Sequence, residues 1–152
     1  MIEKTLILLK PDCIADKRCG DVISRFEKVG FEILGVKMMN LSSELLREHY
    51  VHLTDKPFYP SIEKFMQSSP VIAMVLRGEN IVEKVRDMTG PTDSKKAAKG
   101  TIRGDFGKDV QCNILHASDS CEAAKAEVLR FFAKSELFGV EEKSGHCCCC
   151  CG

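Results

Sequence analysis

The sequence predicts an α/β sandwich of the α+β kind, in which helices cover a mostly antiparallel four-stranded sheet. Three observations carry this. Short apolar runs stop abruptly at turn residues, amphipathic stretches with apolar positions three and four apart separate them, and the connections are mostly short. The chain has 152 residues, 44% hydrophobic and 29% charged, enough for one core and too few for two ordinary ones.

Glu3 to Lys10 is β-branched and leucine-rich and halts at Pro11-Asp12, which reads as a buried strand and a turn. Lys10 is thereby placed at a strand's end. From Asp21 to Val29 the residues Val22, Ile23, Phe26 and Val29 share a helical face, and Gly30 suits a left-handed stop. A strand from about Phe31 to Met39 follows. Ser42 can cap a helix carrying Leu45, Leu46 and Tyr50, and Pro57 can open another with Ile62, Phe65 and Met66 inward. Val71 to Leu76 is the third strand. Asn80 with Glu83 has the spacing of a capping box for a helix bearing Ile81, Val82, Val85 and Met88, with Arg86 on its other side. Gly90 to Asp109 has weak periodicity and is long for a plain connection, as binding loops often are. A brief strand around Cys112 to Leu115 then leads to a helix capped by Asp119 with Glu122, and His116 and Ser118 fall at the junction. This element order fits a ferredoxin-like core over residues 1–138. After Phe138 periodicity is lost, and residues 139–152 are expected to be a disordered, cysteine-rich tail.

Lysine plus arginine and aspartate plus glutamate each total 22. No global excess of positive charge draws the chain to nucleic acid or an anionic membrane, so any phosphate site must be a local cluster. The longest strongly apolar run, near Thr5 to Leu9, is too short to span a bilayer and lacks the layout of a secretory signal. A cytoplasmic location is expected, with no membrane partner and no requirement for nucleic acid. Of nine cysteines, Cys13, Cys19, Cys112 and Cys121 are scattered without CxxC spacing, as reduced thiols are. The other five, Cys147 to Cys151, follow His146. Soft-metal binding, S-acylation and disulfide cross-linking are open to this tail, as is an extension without function.

A neutral imidazole can attack phosphorus near neutral pH. Of four histidines, His116 is flanked by Asn113, Ser118 and Asp119, with Glu127 further along the next helix. From the pattern alone His116 is either a nucleophile among orienting groups or a plain link between strand and helix. Phosphoryl transfer needs cations around the transferred group, and Lys10, Arg86 and Arg103 are candidates, although each taken singly also reads as solvated surface. Phe58 and Tyr50 offer flat faces for a base, or core packing. There is no GxxxxGK[ST] loop, no GxGxxG turn after a strand and no histidine-aspartate-cysteine set with metal spacing, so the chain does not read as a P-loop or protein kinase.

The run Asn113-Ile114-Leu115-His116-Ala117-Ser118-Asp119-Ser120 resembles the active-site signature of nucleoside diphosphate kinases. The likeness extends from Thr5-Leu6-Ile7-Leu8-Leu9-Lys10-Pro11-Asp12 through Gly100-Thr101-Ile102-Arg103-Gly104-Asp105-Phe106 to about Phe138. It implies transfer of the γ-phosphate of a nucleoside triphosphate to a nucleoside diphosphate, ping-pong, through phosphohistidine at His116. By the same likeness Glu127 and Ser118 orient the ring, and Lys10, Arg86, Thr92, Arg103 and Asn113 bind phosphates and ribose. Phe58 stacks on the base with Ile62 beside it, while Tyr50 and Val110 are second-tier members of the pocket. It also implies Mg2+ carried on the nucleotide's phosphates, with no metal ligand from protein side chains, and a homo-oligomer, a hexamer in preference to a tetramer. Ala117 stands where the family often has glycine, and the Gly90-Pro91-Thr92-Asp93-Ser94 segment departs from the common order. Two rivals remain at this point, a sheet that binds single-stranded nucleic acid and a phosphocarrier. Neutral net charge and the absence of an aromatic RNP-like strand weigh against the first, and the set Phe58, Thr92, Arg103 and Asn113 against the second.

Overall fold

A computed structural model of the chain describes residues 1–139. The expected tail, including His146 and Cys147 to Cys151, lies beyond Gly139 outside the described residues.

Four strands, β1 (Ile2–Leu9), β2 (Glu32–Met39), β3 (Val71–Glu79) and β4 (Leu115–Ala117), form one sheet in the order β2-β3-β1-β4. Each pair of neighbours is antiparallel, so the split βαβ arrangement of the ferredoxin-like expectation is present. Two cores sandwich the sheet, and β1 divides its side chains between them. Ile7 and Leu9 join Val22, Phe26, Met74 and Ile81 on one face. Leu6 and Leu8 join Leu46, Met66, Val75 and Phe131 on the other. Helices on both faces explain why a strand whose side chains alternate by two reads as continuously apolar.

The helices are α1 (Pro11–Ala15), α2 (Cys19–Lys28), α3 (Ser43–His49), α4 (Tyr59–Met66), α5 (Ile81–Thr89), α6 (Ile102–Phe106) and α7 (Cys121–Phe131). The expected turn at Pro11-Asp12 is in fact the start of α1, since proline at the first helical position needs no N–H partner. Ser42 caps α3 as expected, its hydroxyl accepting the Leu45 N–H. α4 begins at Tyr59 with Pro60, not at Pro57. The capping box at Asn80 does not form: Asn80 is left-handed (φ 50°) and its side chain caps nothing, accepting instead from the N-terminal ammonium at 3.4 Å. At α7 the cap is Ser120, not Asp119. The last strand also lies later than expected, and His116 is its middle residue. The long segment after Gly90 holds α6 and a 3-10 turn at Ser94–Lys96.

Candidate active site

His116 lies on the edge strand β4, in register with Leu8 of the inner strand β1. Its Nε2 is 3.1 Å from Oε2 of Glu127 on α7. The same oxygen accepts from the Ser118 hydroxyl at 2.6 Å, and Ser118 Oγ takes the Leu6 N–H at 3.1 Å. Burial alone pushes the Glu127 carboxyl up, but the His116 and Ser118 hydrogen bonds outweigh it and hold the group below the usual carboxylate range. An ionised carboxylate only accepts, so the proton of neutral His116 sits on Nε2 and Nδ1 keeps its lone pair.

The segment that delivers His116 is strained. Ile114 has φ 77°, costly for a β-branched residue. Its N–H is held by Asp12 Oδ2 at 2.9 Å and its carbonyl by the Lys10 N–H at 2.9 Å. The Lys10-Pro11-Asp12 turn thus clamps the backbone two residues before His116.

Lys10 is buried, and its ammonium donates to Gln111 O at 2.5 Å and Asn113 Oδ1 at 2.7 Å. Burial pulls its pKa down to about 8. Asn113 in turn donates to the carbonyls of Thr92 at 3.0 Å and Val110 at 3.1 Å. Arg103 of α6 spreads its guanidinium over three carbonyls, Asn113 at 3.1 Å, Gly90 at 3.1 Å and Leu115 at 2.8 Å. Gly90 is left-handed (φ 86°), and a Cβ there would come within 2.9 Å of Thr101 Oγ1. Arg86, on α5, donates to Asp119 O at 2.9 Å.

These side chains line one cleft of about 890 Å³, which also takes in Tyr50, Phe58, Ile62, Thr92, Val110, His116 and Glu127. Phe58 and Val110 stand at its mouth, 51% and 61% exposed, which settles Phe58 as a face open to the cleft and not core. Burial pushes the Tyr50 phenol up to about 12. Of the residues expected at the site only Ser118 stays off the wall, fully buried behind Glu127.

Two residues at the site carry no signal in the sequence. Asp12 reads as part of a turn and is the Ile114 clamp. His49 reads as a helix residue and is buried edge-on to His116, ring centroids 4.5 Å apart. Arg130 Nη1 meets Nδ1 of His49 at 3.1 Å; arginine only donates, so Nδ1 accepts and the His49 proton is on Nε2. Burial, reinforced by the neighbouring His116, pulls the His49 pKa down to about 3.

Among the described residues His49, His116 and Glu127 bring three potential metal donors within 4.8 Å of one another. Their hydrogen bonds make them a poor cage, since Nε2 of both rings carries a proton and the basic Arg130 stands behind His49. Lys10, Arg86 and Arg103 give the rest of the cleft the charge of a phosphate site.

The nucleoside diphosphate kinase family pattern matches residues 3–137. A nucleoside diphosphate kinase of Acetivibrio thermocellus is 50% identical over 131 residues, 86% of this chain and 96% of that one. Nucleoside diphosphate kinase 3 of Mus musculus is 44% identical over 144 residues, 95% of this chain and 85% of that one. The structure of a Halobacterium salinarum nucleoside diphosphate kinase in complex with CDP superposes with a TM-score of 0.89 at 38% identity, covering 95% of this chain and 96% of that one. Signature, fold and relatives agree: the chain belongs to the nucleoside diphosphate kinase family.

Proposed function

We propose that this nucleoside diphosphate kinase carries its phosphohistidine on Nδ1 of His116. The ping-pong reaction of the family takes the γ-phosphate from a nucleoside triphosphate and passes it to a nucleoside diphosphate. The observation that carries the assignment is the Glu127–His116 bond, which places the proton on Nε2 and leaves the other nitrogen free.

In this reading Nδ1 attacks the γ-phosphorus in line with the departing diphosphate, and imidazolium charge that develops on the ring is balanced by Glu127. Lys10, Arg103 and Arg86 take the phosphates and offset the negative charge spread over their oxygens. Thr92 and Asn113 hold phosphate and ribose beside them. The base lies against Phe58, with Ile62 and Val110 around it, in contacts that depend on a flat ring and not on its edge, so purines and pyrimidines both fit. Tyr50 borders the phosphates as a neutral phenol. Ser118 acts through Glu127.

The divalent cation of this kinase chemistry is proposed to be Mg2+, brought on the nucleotide's phosphates, whose negative charge it would spread. We also place the chain in the cytoplasm, as a homo-oligomer, hexameric in preference to tetrameric. No helix among the described residues is long and apolar enough to cross a membrane. The edge strand β2 exposes Val36 and Met38 by 51% and 61%, apolar surface of the kind subunit contacts cover.

The test incubates the purified chain and a His116→Ala variant with γ-labelled ATP, then chases with GDP. Expected is acid-labile, base-stable label that requires His116 and moves to GDP. Label that survives in His116→Ala and still chases would overturn the assignment.

A further inference from the structure

Two thiols outside the cleft stand in a relation that phosphoryl transfer does not use. Cys13, in α1, is fully buried, while Cys19 opens α2 and is partly exposed. Their sulfurs are 3.8 Å apart, both as free thiols. Between them the chain turns tightly through Lys17, left-handed at φ 57°, and Arg18 N–H closes the turn on the Cys13 carbonyl at 3.0 Å. A disulfide needs about 2.05 Å between sulfurs, so the pair is a short approach from bonding.

We propose that Cys13 and Cys19 form a redox modification site, where a hydroperoxide closes an intrachain disulfide that slows phosphoryl transfer.

Cys19 attacks first because it is the accessible sulfur, and burial together with the adjacent Cys19 holds the Cys13 thiol well above the usual range. The Cys19 sulfur displaces one peroxide oxygen, so the O–O bond breaks, water or an alcohol leaves and a sulfenic acid remains. The Cys13 sulfur then attacks the Cys19 sulfur. The S–S bond forms, the S–O bond breaks, and the hydroxyl leaves as water with the Cys13 proton. With hydrogen peroxide, two thiols lose two electrons and two protons, and the peroxide becomes two waters.

The link to catalysis is Asp12. It neighbours Cys13 in a five-residue helix and holds the strained Ile114 N–H through Oδ2. Lys10, whose ammonium faces the cleft wall, is the residue just before that helix. Cys13 is packed among core residues on one face of the sheet, so drawing its sulfur toward Cys19 pulls on the clamp that sets His116.

The test treats the full chain and Cys19→Ser with hydrogen peroxide, alkylates remaining thiols, and reads both tryptic peptides and the rate of transfer from ATP to GDP. Trypsin spares the Lys10-Pro11 bond, so Cys13 lies in the Thr5–Lys17 peptide and Cys19 in Cys19–Arg25. Expected is a disulfide-linked pair of these peptides and a rate reduced about tenfold, as for a reacting group displaced by a fraction of an ångström. Dithiothreitol restores the rate, and Cys19→Ser, with full activity beforehand, keeps it under peroxide. Sulfenic or sulfinic acid at Cys19 without the linked pair overturns the site. A linked pair with unchanged rate, or equal loss in Cys19→Ser, overturns its control of transfer. The peptide readout is independent of the assignment of His116, and the turnover of the reduced chain is the reference for the rate.

Discussion

Asp12 and Ile114 are 102 positions apart and joined by one hydrogen bond of 2.9 Å, from the amide of a strained residue to a buried carboxylate. The bond keeps Ile114 at φ 77°, and the next residues deliver His116 into the cleft. Asp12→Ala leaves that amide without its acceptor and lets the backbone relax. We expect a loss of about 2 kcal/mol, a fall in Tm of roughly 4–8 °C, together with turnover reduced by at least about tenfold. Thermal melting beside steady-state rates checks it; wild-type turnover in a merely less stable variant would reject the clamp.

Lys10 should set an alkaline limit on activity. Its folded pKa of about 8 lies below the ordinary 10.5, so its charge on the free enzyme fades as pH rises through about 8, and kcat/KM should fall there. For stability the sign is the reverse. Between those two values the unfolded chain holds more protons, so the ligand-free protein gains stability with rising pH. Lys10→Met removes both effects, and parallel pH profiles of kcat/KM and Tm measure them.

Glu127→Gln presents an amide whose N–H can donate to Nε2 of His116, which would drive the ring proton to Nδ1. Phosphohistidine formation should slow about 100-fold or more, read by rapid quench. The folded carboxyl is depressed below its ordinary 4.5, so its contribution to stability is present above that value and is lost as pH falls through the folded pKa. The Tm gap between wild type and variant should close in acid.

Removing Arg103 takes away a cation and its three hydrogen bonds to the carbonyls of Gly90, Asn113 and Leu115. Transition-state stabilisation should fall by about 2–4 kcal/mol in Arg103→Ala. Arg103→Lys keeps the charge but cannot reach three carbonyls, and should fall between. Equal kcat/KM in all three proteins would remove Arg103 from the phosphate site.

His49 is held to about 3 in the folded state against an ordinary 6.5. Below 6.5 the unfolded chain takes up a proton that the folded chain refuses, so this residue makes stability fall with acid until about pH 3. His49→Gln, which can still accept from Arg130, should flatten the loss of stability between pH 6.5 and 4. Urea denaturation at stepped pH gives the slope, and an unchanged slope counts against a neutral buried His49.

The helices and central strands were legible because their apolar spacing is set by what each buries. Val22 and Phe26, and Val82 and Val85, sit inward as their spacing demands. Caps were less legible where two polar residues competed: Ser120 outdid Asp119, and Asn80 turned left-handed, with its side chain serving the N-terminus. β4 begins later than its apolar pattern suggests: Cys112 and Ile114 read as strand, but the tie of Ile114 to Asp12 and Lys10 holds that stretch out of the ladder. Lys10, Arg86, Arg103 and Asn113, named from the family likeness, line one cleft. His49 and Asp12 were invisible because their importance lies in contacts made across 67 and 102 positions, which no local pattern encodes.

His116 sits on the edge strand β4, opposite Leu8 of β1, and the β1 residues Thr5 to Leu9 are wholly inaccessible to solvent. The ring thus rests on a closed floor but hangs from a strand of only three residues. The reactive ring therefore has a route to failure of its own: slackening of the Asp12 tie shifts it while the strand beneath stays closed. Activity in this chain is thus a stricter gauge than folding: damage that reaches the Asp12 tie lowers the rate of each folded molecule, and damage elsewhere lowers only their number.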